Sequence, residues 1–178
     1  MTAVTTTPKN IIRIDPELAA GERTMLEGWL DYHRTTLAMK CAGLSDEQLR
    51  STPLAPSELS LMGLVRHMTE VERNWFQEVA LGAERAPLYF SDADRDGDFH
   101  TTEADTWGTA EAAWLEEIAR SRTSLAGLGL DDLCVRPDRV TGGRFNVRWI
   151  LNHMIEEYAR HNGHADLLRE HIDGATGE

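Results

Sequence analysis

The stretch RWILNHMIEEYARHNGHADLLRE, Arg148 to Glu170, decides the fold. Its apolar residues recur at intervals of three and four, the period of a helix with one buried face. At about 100° per residue with His153 at zero, the apolar side chains of Val147, Ile150, Met154, Ala165, Leu168 and Ile172 centre near about 90°. The pattern starts near Asn146 and ends at Asp173-Gly174, where glycine supplies a helix stop.

Three earlier segments carry the same period. The sequence predicts helix one from Asp15-Pro16-Glu17, an N-cap residue followed by a first-position proline and an acid, to about Gly43, with Leu26, Trp29, Leu30 and Leu37 inward. Helix two is predicted from about Ser57 to Leu81, with Leu61, Leu64, Met68, Val71, Trp75 and Val79 on one face, and helix three from about Thr109 to Leu128. No run alternates convincingly as a strand, although the segment from Cys134 to Arg148 is compatible with a small hairpin. The expectation is an all-α, four-helix bundle. The connections Ser45 to Pro56, Gly82 to Gly108 and Gly129 to Phe145 exceed helix-hairpin length, which points to a crossover topology or a functional covering loop. Residues 1–14 read as a flexible tail and residues 15–174 as one domain.

The chain has 178 residues with 18 Lys and Arg against 30 Asp and Glu, a formal net charge of −12. Such a field repels phosphate backbones and anionic lipid, and the basic residues are scattered, which argues against nucleic-acid and membrane partners. Two cysteines, Cys41 and Cys134, are too few for a disulfide framework and lack the short spacing of a zinc ribbon. No apolar leader or membrane-length stretch is present, so a reducing, cytoplasmic setting is expected. A chain of this length builds a core without structural metal, so a metal here would serve function.

Of seven histidines, four fall on the last helix. Glu157 and His161 lie near about 40° and 80° on its wheel, inside the apolar stripe and one turn apart, where two side chains converge on one ion. His67 sits at the margin of the helix-two stripe and can also look inward. An ionised Glu buried alone is very costly, and one divalent ion held by His67, Glu157 and His161 satisfies all three groups. The competing arrangement is a buried Glu157–His161 ion pair with His67 an ordinary core histidine. The HExxH protease motif and the repeated Glu-x-x-His of di-iron bundles are absent, which leaves a mononuclear site as the metal reading.

Three stretches, DYHRTTLAMKCAGLSDEQL (Asp31 to Leu49), GLVRHMTEVERNWF (Gly63 to Phe76) and the Arg148 to Glu170 segment, resemble the DinB-like superfamily. They are closest to a branch related to mycothiol-dependent maleylpyruvate isomerase and the thiol S-transferases. The resemblance implies a four-helix bundle with a crossover, a homodimer, and one divalent metal on a helix-two histidine and two last-helix ligands one turn apart. Carried onto this sequence, the ligands are His67, Glu157 and His161. His164 falls where it would support a ligand, and His153 and His33 are further candidates for the cavity wall.

Two other features of the sequence bear on function. Asp92 to Glu103 fits the 12-residue calcium-loop pattern, but Pro87-Leu88-Tyr89-Phe90 precedes it in place of a helix, so a solvated acidic loop is expected. Arg144, Arg148, Trp149, Asn74 and Tyr158 are candidates for a pocket wall. Three protein ligands leave a metal position open, as in catalytic sites. Zinc or nickel suits imidazole and carboxylate donors. The metal then either presents a low-molecular-weight thiol as thiolate to a small electrophile or activates water for hydrolysis. A noncatalytic metal-binding bundle is the third possibility.

Overall fold

The computed structural model describes residues 11–177. Helix α1 spans Glu22–Cys41, the short α2 Asp46–Arg50, and α3 Leu61–Glu72, which continues as a π-helical segment over Arg73–Val79. Helix α4 is Trp107–Leu125, strands β1 Leu133–Pro137 and β2 Arg144–Asn146 pair antiparallel, and α5 is Val147–Asp173. The four periodic segments are therefore four long helices.

Helices α2 to α5 each start where a side chain can meet a backbone N–H that the helix leaves unpaired. Ser60 accepts from Gly63, Thr106 from Thr109 and Asn146 from Trp149, while Ser45 and Gln48 form a reciprocal capping box on α2. Gly174 closes α5 at φ 77°.

Helix α1 begins later than its Asp15-Pro16-Glu17 signal. Gly21 is the N-cap, and the residues before it turn back along the helix. The Arg13 guanidinium donates to Thr36 Oγ1 at 3.1 Å and lies 4.3 Å over the Tyr32 ring. A Cβ on Gly28 would come within 3.2 Å of Pro16 Cβ, so glycine there lets the returning chain lie close. Leu18 is 99% exposed, so helix over residues 16–20 would have no apolar face to bury, and a cap signal alone does not hold a helix. Of the predicted tail, residues 1–10 lie outside the described residues.

The first helix packs on the last, and α3 packs on both α4 and α5, which is the crossover arrangement expected from the long loops. Leu37, Leu64, Met68, Phe76, Ile150, Leu151 and Met154 are fully buried between them. A polar chain also ties the four long helices together. Trp114 Nε1–H on α4 donates to the Tyr158 hydroxyl on α5 at 2.8 Å, and that hydroxyl donates to Glu72 on α3 at 2.8 Å. Arg34 on α1 meets the Glu72 carboxylate with two parallel bonds of 2.8 Å. Glu72 is completely buried, so its charge depends on these partners. Burial, and then the Glu72 carboxylate, hold the Tyr158 phenol well above its ordinary pKa, so it stays a donor.

Among the described residues no helix is long and apolar enough to cross a membrane.

Candidate functional site

Helices α3 and α5 lie side by side, and each turns one apolar margin toward the other. His67 comes from α3, and Glu157 and His161 from successive turns of α5. One ligand atom from each of the three lies within 4.8 Å of the others, close enough to hold a single ion. His161 Nε2 is 3.5 Å from Glu157 Oε2, and the His67 and His161 rings meet edge to face at 4.7 Å. His161 is buried, whereas His67 and Glu157 are partly exposed.

The histidines are held in forms suited to donating a lone pair. Asp98 Oδ2 lies 2.7 Å from His67 Nδ1. A carboxylate only accepts, so the Nδ1 hydrogen points to Asp98 and Nε2 is left free, the arrangement that orients metal-binding imidazoles. Phe99 stacks on the His67 ring at 4.6 Å. Burial, and then the neighbouring His67 and His164, push the His161 imidazole down to about 3, so it is neutral at physiological pH. His164 Nδ1 is 3.3 Å from His161 Nδ1.

Asp98 belongs to the crossover loop between the π-helical segment and α4, and α3 fixes that loop along its length. The Glu70 carboxylate accepts the N–H groups of Leu88 and Tyr89 at 2.5 and 2.7 Å. The Arg66 guanidinium donates to the Gly97 carbonyl at 2.7 Å and packs over Tyr89. Gly63 has no Cβ to obstruct the loop: one built there would be 3.0 Å from the Phe99 carbonyl oxygen. The acidic loop is thus engaged in holding the site. Asp98 faces His67 and Asp94 faces His100, and Asp92 is fully exposed beside Arg95, so these acids do not converge as a calcium loop requires.

Beside the histidines lies a cavity of about 760 Å³, lined by His67, Asp98 and Phe99 at the site and by the π-helical residues Asn74, Trp75, Glu78 and Val79. The wider π-helical winding changes the direction of its residues relative to an α-helix, and here four residues of the segment face the cavity. Trp75 also joins an aromatic group with Phe145 at 5.2 Å, Trp149 at 5.2 Å and His153 at 4.5 Å. His153 Nε2 lies 3.6 Å from Glu157 Oε1, which places this aromatic group directly beside the ligand cluster.

Of the five residues expected in the pocket wall, Asn74 lines the cavity. Trp149 stands behind Trp75 and Phe145 in the aromatic group. The other three are engaged elsewhere: Arg144 bonds the Cys134 carbonyl, Arg148 pairs with Glu22 and Asp131 on the outer surface, and Tyr158 sits in the buried chain with Glu72. His33 packs with Trp29 and Tyr32 on α1. Cys41 and Cys134 are buried, and burial raises both thiols above their ordinary pKa, so neither supplies a thiolate. Sequence reasoning missed Asp98, whose role depends on how a 31-residue separation closes, and the Phe145 contribution from β2.

A profile of the mycothiol S-transferase family matches residues 25–174, most of the chain and the whole ligand set. The chain belongs to the mycothiol S-transferase family. This DinB-like family is consistent with the helical bundle seen here. The crystal structure of a conserved protein from Enterococcus faecalis superposes with a TM-score of 0.60 over 88% of this mycothiol S-transferase family member and 100% of that chain. At 14% identity that likeness shows the fold alone. No curated protein matches the sequence.

Proposed function

We propose that this protein is a metal-dependent thiol transferase that joins a low-molecular-weight thiol of the mycothiol type to a small electrophile. The observation that carries the reading is the convergence of His67, Glu157 and His161, with His67 lining a cavity of about 760 Å³, in a chain of the mycothiol S-transferase family. Two imidazoles and a carboxylate form a donor set suited to zinc or nickel. The fit is supported by Asp98 holding the His67 tautomer and by the neutral His161. A divalent ion held by these three residues would lower the pKa of a thiol bound to it, so that the thiolate forms near neutral pH.

The chain's own residues supply the rest. The cavity holds the electrophile against Trp75 and Phe145, whose rings exclude water from that wall. The transfer forms a sulfur–carbon bond, the thiol proton passes to solvent, and either the leaving group departs with its electron pair or, in an addition, the substrate π bond takes that pair. We also propose, on the family resemblance, a single domain over residues 15–174 that pairs as a homodimer in a reducing cytoplasm.

The test is turnover by metal-loaded protein with panels of thiols and electrophiles, against His67→Ala. Thiol-dependent product that is lost in the variant supports the reading. Product formed with thiol omitted would replace it with metal-dependent hydrolysis, and a thiol that leaves the spectrum of the cobalt-substituted protein unchanged would remove direct metal–sulfur contact.

A further inference from the structure

The cavity beside His67 is lined by many charged side chains. It holds both signs: four arginines line it, Arg85, Arg95, Arg136 and Arg139, together with six carboxylates, so what sets it apart is which of these groups are left without a partner. Their engagements differ. Arg136 is fixed by Glu78 at 2.8 Å and the Ala83 carbonyl at 2.9 Å, and Arg95 stands 3.8 Å from Asp92. The Arg85 and Arg139 guanidiniums make no hydrogen bond or ion pair among the described residues.

The acids of the same wall are almost all engaged. Glu70 holds the loop amides of Leu88 and Tyr89, Asp98 holds His67, and Asp138 accepts the N–H and hydroxyl of Thr141, each at 2.7 Å. Asp96 alone remains against two unengaged guanidiniums. The Asp138 bonds also matter for Arg139. Together with Asp138 N–H donating to the Gly143 carbonyl at 2.7 Å, they fix the hairpin tip and so fix where the next residue, Arg139, leaves the backbone. Between these groups the wall is apolar, with Trp75, Phe145, Val71 and Val79.

We infer that the cavity selects electrophiles built as a flat apolar body bearing a carboxylate, the ring resting on Trp75 and Phe145 and the carboxylate taken by Arg139 and Arg85. Arginine suits this task, since its planar fork matches a carboxylate and stays charged at any physiological pH. The inference names the substrate class of the proposed transfer and rests on it for the word electrophile, but the selection itself is a property of binding and is testable without turnover.

Calorimetry on the metal-loaded protein, with no thiol present, compares unreactive 4-nitrobenzoate with 4-nitrobenzamide, which has the same ring but no charge. The carboxylate binds the unsubstituted protein about tenfold more tightly than the amide, and the Arg85→Gln/Arg139→Gln double variant loses that preference while keeping its metal content and thermal unfolding midpoint. Equal binding of the two ligands overturns the inference. So does a carboxylate preference that survives in the double variant, because the metal then accounts for it. A preference of the expected size in a protein that transfers no thiol leaves the selection standing and removes the transferase reading instead.

Discussion

The Asp98 carboxylate, carried by the crossover loop, accepts the Nδ1 hydrogen of His67 at 2.7 Å and so fixes which ring nitrogen faces Glu157 and His161. Partners of this kind typically contribute a factor of about 10 to 100 in metal affinity. Asp98→Ala is therefore expected to weaken the metal by that factor while leaving helicity unchanged, and chelator competition followed by circular dichroism measures both. An affinity equal to the unsubstituted protein's would show that the loop carboxylate does not orient the imidazole.

Metal content separates the three clustered residues from the other histidines. His67→Ala, Glu157→Ala and His161→Ala should each fall well below one ion per chain by elemental analysis. His100→Ala and His171→Ala should retain it, since His100 pairs with Asp94 on an exposed loop and His171 bonds the Leu167 carbonyl. Retention by all three of the first group would displace the assignment.

Tyr158→Phe tests the frame separately from the site. Removing the hydroxyl leaves the buried Trp114 N–H without its acceptor and the Glu72 carboxylate without one donor, a loss of roughly 1 to 3 kcal/mol. Glu72→Gln is expected to be worse, up to about 3 to 5 kcal/mol, because it takes the buried carboxylate from the Arg34 guanidinium and leaves it only the half-exposed Asp31 at 2.9 Å. Urea denaturation reads both. The phenylalanine variant should keep its metal, and a variant that lost the metal without losing stability would return Tyr158 to the cavity wall.

Burial, and then repulsion from Arg13, lower the pKa of His33 below its ordinary 6.5. The folded protein thus resists a proton that the unfolded chain takes up near pH 6.5. Stability linked to this residue is complete above that pH and declines as pH falls below it, toward the lowered folded value. His33→Asn should flatten the dependence of the unfolding midpoint between about pH 6.5 and 5, a window set by the unfolded histidine. An unchanged slope would assign the dependence to other groups.

The long periodic helices were legible in the sequence because burial writes itself into spacing. The stripe of α5 placed Glu157 and His161 inward, and the margin of α3 placed His67 toward them, without any knowledge of the loops. What spacing cannot encode is the path of irregular chain. The loop that read as a calcium pattern turned out to carry Asp98 to His67, because Arg66, Glu70 and Gly63 on α3 determine its course from a distance in sequence. Arg144 and Arg148 looked like cavity residues by position, and their nearest unpaired acceptors, the Cys134 carbonyl and the Glu22 and Asp131 carboxylates, lie in another direction. At Pro16 a sound local start signal lost to the absence of anything for Leu18 to pack against.

The buried chain from Trp114 through Tyr158 and Glu72 to Arg34 sets the separation of all four long helices by protein groups alone. In small zinc domains the ion creates the fold, and chelation unfolds the chain. Here the spacing between α3 and α5 that brings His67 to Glu157 and His161 is already imposed from within the bundle core. An ion held at that site could consequently leave and be replaced by another without the chain passing through an unfolded state. On the proposed reading, which metal occupies it would be a question of supply and exchange in its surroundings, decided after folding and open to revision throughout the life of the protein.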